Sequence, residues 1–214
     1  MQIFWHGLTC IRLEASTGSS EVTLVTDPYG SDVGLRFPRT LAPDVAVLSH
    51  QDKKQFPLDS FTKEPFVIAD PGEYEVNGIF VFGLPLKTGD EQWPYPMIYR
   101  FEVEGMSIGF LGGLNRLLND DEAGKLENID ILMLPVGGGG KLTAKQALET
   151  MNMIEPRIVV PLYHHIEGLK QELGTVDAFC KELGVCKRQD ANRLKIVKKD
   201  LPAEDVLVTV LERA

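Results

Sequence analysis

The chain has 214 residues, 43% hydrophobic and 25% charged, the composition of a globular protein with an apolar core. Its formal net charge of −9 argues against nucleic acid or an anionic membrane as partner, since phosphates recruit Lys/Arg stripes. Cys10, Cys180 and Cys186 form no CxxC pair and read as free thiols of a reducing compartment, so a cytoplasmic location is expected.

The N-terminal stretch MQIFWHGLTCIRLE has no basic start and no long apolar run, so it reads as neither signal peptide nor membrane span. It opens a series of short β-rich runs instead. Residues 2–5, 9–14 and 22–26 are predicted strands, broken at His6-Gly7 and by the Ser/Gly-rich stretch Ser16 to Ser20. Residues 45–49, 66–69, 74–76 and 79–83 continue the series, with Asp70-Pro71-Gly72 and Asn77-Gly78 as turns; Asn-Gly tolerates the positive φ of a tight hairpin. A Pro-rich loop is expected from Leu84 to Pro96, followed by a hairpin of 97–103 and 106–111 around Glu104-Gly105.

From there the pattern becomes strand–helix. Residues 130–135 and 157–161 are wholly apolar enough for buried strands. A helix opening at the N-cap Thr143 places Ala147, Leu148, Met151 and Ile154 on one face. A second helix spans 176–183 with Gly184 as its C-terminal cap, and strands are predicted over 193–198 and 206–212. No repeat or linker divides the chain. One domain over 1–214 is expected, an α/β fold of layered sheets flanked by helices.

The chemistry centres on SHQDKKQF, residues 49–56, where an apolar strand runs out into a loop with a histidine and an aspartate two apart. The segments Ile3 to Cys10, Val25 to Tyr29, Asp44 to Gln55, Pro71 to Val76, Asp130 to Gly138 and Arg157 to His164 resemble, in order, the metallo-β-lactamase-fold hydrolases. The closest likeness is to the branch similar to sugar-phosphate lactonases, over roughly residues 1–185. The resemblance implies a four-layer αββα sandwich and a site for one or two zinc or related ions, held by His and Asp donors.

It also implies that most of those donors are missing. The H-x-H-x-D-H ligand positions fall on His50, Asp52, Lys54 and Gln55; the metal-bridging aspartate falls on Gly113; the P-x-H histidine becomes Tyr163; the early Gly-His becomes Gly7-Leu8. No histidine stands between Leu86 and Tyr95, where the family has another. His164 follows Tyr163, but successive strand side chains face opposite ways, so it does not simply replace it. Asp27 matches a carboxylate that supports the ligand loop, which marks it as scaffold.

The expectation is therefore a chain without metal or other cofactor and without catalytic residues, acting as a binding or scaffolding module. Its partner would be a small anionic ligand near Lys53-Lys54, or a protein, including an intact paralogue it regulates. Lys54 is expected to point into the vestigial pocket towards Asp52, with Tyr163 filling the vacated volume. The competing expectation is a metal-dependent hydrolase of esters, lactones or phosphodiesters, rebuilt around His50, Asp52 and His164 or His165. A Ser49-His50 dyad lacks a third partner. The run Gly137 to Thr143 misses the phosphate-loop pattern at Pro135 and Leu142, so it reads as a tight turn.

Overall fold

The computed structural model describes residues 1–18, 20–86 and 95–214. Strands β1 (Gln2–Gly7), β2 (Cys10–Thr17), β3 (Ser20–Thr26), β4 (Val45–Val47) and β5 (Phe66–Ile68) build a first sheet. Then come β6 (Gly72–Val76), β7 (Ile79–Pro85), β8 (Met97–Val103), β9 (Met106–Phe110), helix α1 (Asp120–Gly124), β10 (Ile131–Pro135), helix α2 (Ala144–Ile154) and β11 (Ile158–Leu162). Helix α3 (Val176–Leu183), β12 (Arg188–Ala191), β13 (Leu194–Lys195) and β14 (Leu207–Leu211) complete the chain.

The strand order is β13-β1-β2-β3-β4-β5 in the six-stranded sheet and β12-β14-β11-β10-β9-β8-β7-β6 in the eight-stranded one. Each sheet passes from antiparallel to parallel: β1 to β3 and β6 to β9 are antiparallel runs, followed by parallel β3-β4-β5 and β9-β10-β11-β14-β12. The chain adopts the expected layered two-sheet sandwich of the αββα type, with helices on the outer face of the second sheet and crossover loops in place of the helical layer on the first.

Period-two alternation assigns the layers. Ile3, Trp5, Leu13, Val45 and Val47 from one sheet meet Val81, Tyr99, Phe101, Phe110, Met133 and Val160 from the other in the central core. Leu132, Leu134, Val159 and Val208 face the other way and pack under Ala147, Met151, Ile154 and Phe179 of α2 and α3. On the far side, Cys10, Val25 and Ala46 are covered by Tyr29, Leu35, Leu41 and Phe61, which belong to the crossovers β3→β4 and β4→β5. Those crossovers carry only short 3₁₀ turns, at Ser31–Val33, Lys53–Gln55 and Leu58–Ser60. The second sheet thus has a helical cover and the first a cover of loops.

The Asn77-Gly78 turn adopts the expected positive φ, and the expected turn at Glu104-Gly105 adopts it as well. Thr143 caps α2 through a reciprocal capping box with Gln146, worth about 1 kcal/mol. Three expectations change. The strand expected over 193–198 shortens to Leu194–Lys195 before a 3₁₀ turn at Lys198–Asp200. The polar segment Arg188–Ala191 is a strand because it pairs parallel to β14, a tertiary partnership its sequence does not announce. And Cys180 is joined to Cys186 rather than free, because α3 ends at Gly184 and the chain turns back onto its own last turn; Cys10 remains a buried free thiol. Residues 87–94 of the expected Leu84–Pro96 loop, and Ser19 of the first turn, lie outside the described residues. No described helix is long and apolar enough to cross a membrane.

Candidate functional site

The site is built at one end of the parallel strands, where open α/β sheets place their ligands. Asp27 follows β3 directly. Its backbone N–H donates to the Val47 carbonyl at 3.1 Å, and its Oδ1 accepts from the Ser49 N–H at 2.6 Å. This carboxylate, only 4% exposed, therefore ties the start of the SHQDKKQF loop to β3. Burial raises its pKa; the Ser49 and Thr9 groups and the Lys141 ammonium pull in the opposite direction. Its Oδ2 is buried and makes no hydrogen bond of ordinary geometry. Ser49 therefore serves Asp27, not a dyad with His50. The Ser49 carbonyl accepts from Met97 N–H at 2.8 Å and that of Leu48 from the Tyr99 hydroxyl at 2.7 Å, so the loop root is bonded to the second sheet as well.

The glycine run after β10 supplies the cation. Gly138, Gly139 and Gly140 hold φ of 72°, 61° and 93°, a left-handed sequence that L side chains resist. The run closes on itself: the Gly138 N–H donates to the Leu142 carbonyl at 2.8 Å and the Lys141 N–H to that of Gly138 at 3.1 Å. Lys141, half-buried at the end of this turn, interacts electrostatically with both Asp27 and His50. Burial lowers its pKa against the attraction of Asp27. His50 is lowered too, by burial first; Asp52 opposes this and the Lys141 charge adds to it.

The ligand loop is occupied with itself. The His50 Nδ1 accepts from the Asp52 N–H at 3.1 Å and faces the Gln55 Nε2, also at 3.1 Å. An Nδ1 that accepts from a backbone N–H leaves the neutral ring's proton on Nε2, so neither nitrogen offers a free lone pair. The Asp52 Oδ1 caps the 3₁₀ turn by accepting from the Lys54 N–H at 3.2 Å. Asp52 thus meets the Lys54 backbone, while the Lys54 side chain is exposed. The expected inward Lys54 ammonium is not seen, because the 3₁₀ turn directs that side chain to solvent. Lys53 lies 3.8 Å from Asp70. Gln51, buried, pins the loop by exchanging bonds with Tyr95: its N–H donates to the Tyr95 carbonyl at 3.1 Å and its Oε1 accepts the Tyr95 N–H at 2.9 Å.

Gly113 stands against this loop. A Cβ there would sit 2.6 Å from the Ser49 carbonyl oxygen and overlap that of Met97, so backbone fills the space an aspartate would need. Gly113 and His50 are thus neighbours through Ser49, as expected. Tyr163 leans on the glycine turn: its hydroxyl donates to the Gln171 Oε1 at 2.9 Å and lies 3.3 Å from the Gly139 carbonyl. His164 turns the other way. It is 5% exposed, its ring lies 4.4 Å from that of Trp5, and its Nδ1 contacts the His165 carbonyl. His165 is exposed. Among the described residues no three His, Cys, Asp or Glu side chains converge as a metal would require, so His50, Asp52 and His164 or His165 are not gathered into a rebuilt centre.

Lys141 is the residue that sequence reasoning missed. Its signal was present as the cation ending a glycine run after a buried strand, but the failed phosphate-loop pattern drew attention to the glycines alone.

Comparison with known proteins agrees with this architecture. A family model described as the beta-lactamase superfamily domain matches residues 2–163. A UPF0173 metal-dependent hydrolase of Thermoplasma acidophilum is 25% identical over 223 residues, covering 84% of this chain and 93% of the relative. A UPF0173 protein of Pyrococcus abyssi is 23% identical, covering 81% and 90%. Among solved structures, a Thermotoga maritima protein assigned to the Zn-dependent hydrolases of the metallo-β-lactamase superfamily superposes with a TM-score of 0.77 at 29% identity, covering 99% of this chain and all of the other. Igni18, a metallo hydrolase of Ignicoccus hospitalis, shares the fold with a TM-score of 0.64 at 15% identity, covering 86% and 90%. With the family model spanning most of its length and the two-sheet architecture in agreement, the chain belongs to the metallo-β-lactamase superfamily.

Proposed function

We propose that this chain uses the metallo-β-lactamase fold as a non-catalytic binding or scaffolding module, with the fixed charge of Lys141 where its relatives' fold would carry a cation. What supports this reading is a Gly113 hemmed in by two carbonyls beside a loop whose His50 Nδ1 and Asp52 Oδ1 are engaged with backbone N–H groups, with the half-buried Lys141 acting electrostatically on Asp27 and His50. A divalent ion needs several anionic or lone-pair donors to replace its hydration. The donor set here does not suit one. The His50 and Asp52 acceptors are engaged with the loop's own N–H groups, position 113 has no side chain, and an ammonium repels a second cation. No hydrolytic step is therefore assigned to these residues.

Elemental analysis of tag-free protein tests the reading directly. Zinc, iron and manganese are expected well below one equivalent, with no turnover of ester, lactone or phosphodiester panels that disappears in His50→Ala. Metal-dependent hydrolysis is the second reading, favoured by the names of the relatives. A full metal equivalent lost in Asp52→Ala, together with His50-dependent turnover, would establish it in place of the first.

A further inference from the structure

We propose that the open cleft between the two loop crossovers on the outer face of the first sheet binds a small anion carried on an aromatic or apolar body. The cavity holds about 470 Å³, within the range of small-molecule sites, roughly 300–1,000 Å³. Its wall is a fixed aromatic cluster. Phe37 stands edge-on to Tyr29 at 5.3 Å and 88°, and lies 5.9 Å from Phe61. Tyr29 and Phe61 are buried, and the Tyr29 hydroxyl is bonded to the His6 carbonyl, so the wall does not need to form on binding.

The charge at the mouth selects the ligand. Arg36 and Arg39 line it, and among the described residues neither guanidinium has an ion pair or hydrogen bond. Arg12, Arg100, Arg116, Arg157 and Arg188, by contrast, each lie beside a carboxylate. The Arg36 backbone is itself anchored, its carbonyl accepting from the Arg213 guanidinium at 3.3 Å. Asp59 also lines the cavity, leaving one net positive charge at the mouth. Two other cavities suit an anion less. One is lined by Glu14, Glu21 and Glu104 against Lys195, another by Glu155, Glu204 and Asp205 against Arg157. The anion is thus placed at Arg36 and Arg39 and not at Lys53-Lys54, where Lys53 already faces Asp70. The inference uses neither Asp27 nor His50 and stands whether or not the chain binds metal.

Benzoate and phenyl phosphate are the probes, with inorganic phosphate and phenol as their halves, in calorimetric titrations and thermal melts of the full chain. Benzoate or phenyl phosphate is expected to bind saturably and to raise Tm, with either half at least roughly tenfold weaker, the effect of losing one charge-assisted contact or one ring face. The double variant R36Q/R39Q should weaken the aromatic acid by about tenfold to a hundredfold, with an unchanged melt in the absence of ligand. Phe37→Leu should weaken it less, and Asp59→Asn should tighten it. The control K53Q/K54Q should leave it as it is. No saturable binding by either aromatic acid, binding indifferent to R36Q/R39Q, or binding lost in K53Q/K54Q overturns the proposal.

Discussion

Two halves of the candidate site, both inherited from the same fold, differ in what holds them. The corner of Asp27, Ser49, Gly113 and Lys141 is packed, bonded to both sheets and organised around a buried carboxylate. The loop from His50 to Gln55 is partly exposed, and His50 and Asp52 spend polar groups on its own backbone, with buried Gln51, bonded to Tyr95, as its tertiary anchor. A residue in the corner answers to tertiary partners; a residue in the loop answers to its neighbours in sequence. An exposed position tolerates exchange, and a buried, hydrogen-bonded one does not.

The largest expected effect comes from burial beside the site and is read by pH, since buried imidazoles resist charge. Burial lowers His6 and His164 to about 4 from an ordinary 6.5. Between those values the unfolded chain takes up protons that the folded one refuses. Their contribution is therefore complete above pH 6.5 and is lost as pH falls towards 4. The loss is on the order of 3 kcal/mol per histidine over that window. Asp27, whose pKa is raised, opposes this trend, because the folded state holds its proton to higher pH than the unfolded state does. Denaturant melts from pH 7 to 4 should show the loss, and His164→Phe, keeping a ring on Trp5, should flatten part of it. An unchanged slope in that variant would mean the imidazole is not buried as described.

Gly113→Asp should be the most damaging substitution in the corner, by roughly 3–5 kcal/mol, because the new side chain meets backbone and not a movable side-chain tip. Urea midpoints measure it, and a tolerated aspartate would show that the corner can open. Lys141→Met should cost up to about 1 kcal/mol in the native background, the scale of a charge interaction without a hydrogen bond. In an Asp27→Asn background the cost should fall to near zero, since the charge it serves is gone. Equal costs in both backgrounds would dissolve the pair. Lys53→Met and Lys54→Met should each stay within about 0.5 kcal/mol, as exposed loop positions do.

Much of this fold was legible from alternation and punctuation. The hairpin at Asn77-Gly78, the capped helix from Thr143 and the buried strands after residue 130 all sit where local chemistry places them. The supporting role of Asp27 and the blank at Gly113 were legible through motif order. The direction of Lys54 was misread, since motif position says which residue stands in the loop but not that Asp52 will cap its backbone and turn the side chain outward. Lys141 was illegible for a different reason. It reaches Asp27 across more than a hundred residues of chain, through a turn whose geometry only the folded sheet explains. The Cys180–Cys186 link and the polar strand β12 belong to the same class, made by a helix end and by a neighbouring strand.

The carbonyls packed around Gly113 also bear on what that position can hold. Any side chain there requires Ser49 and Met97 to yield together, and the hydrogen bond between them is part of what joins the two sheets. No one-letter change at residue 113 supplies that movement. The glycine works as a clearance in a joint: the sheets close tightly at this point because nothing projects between them.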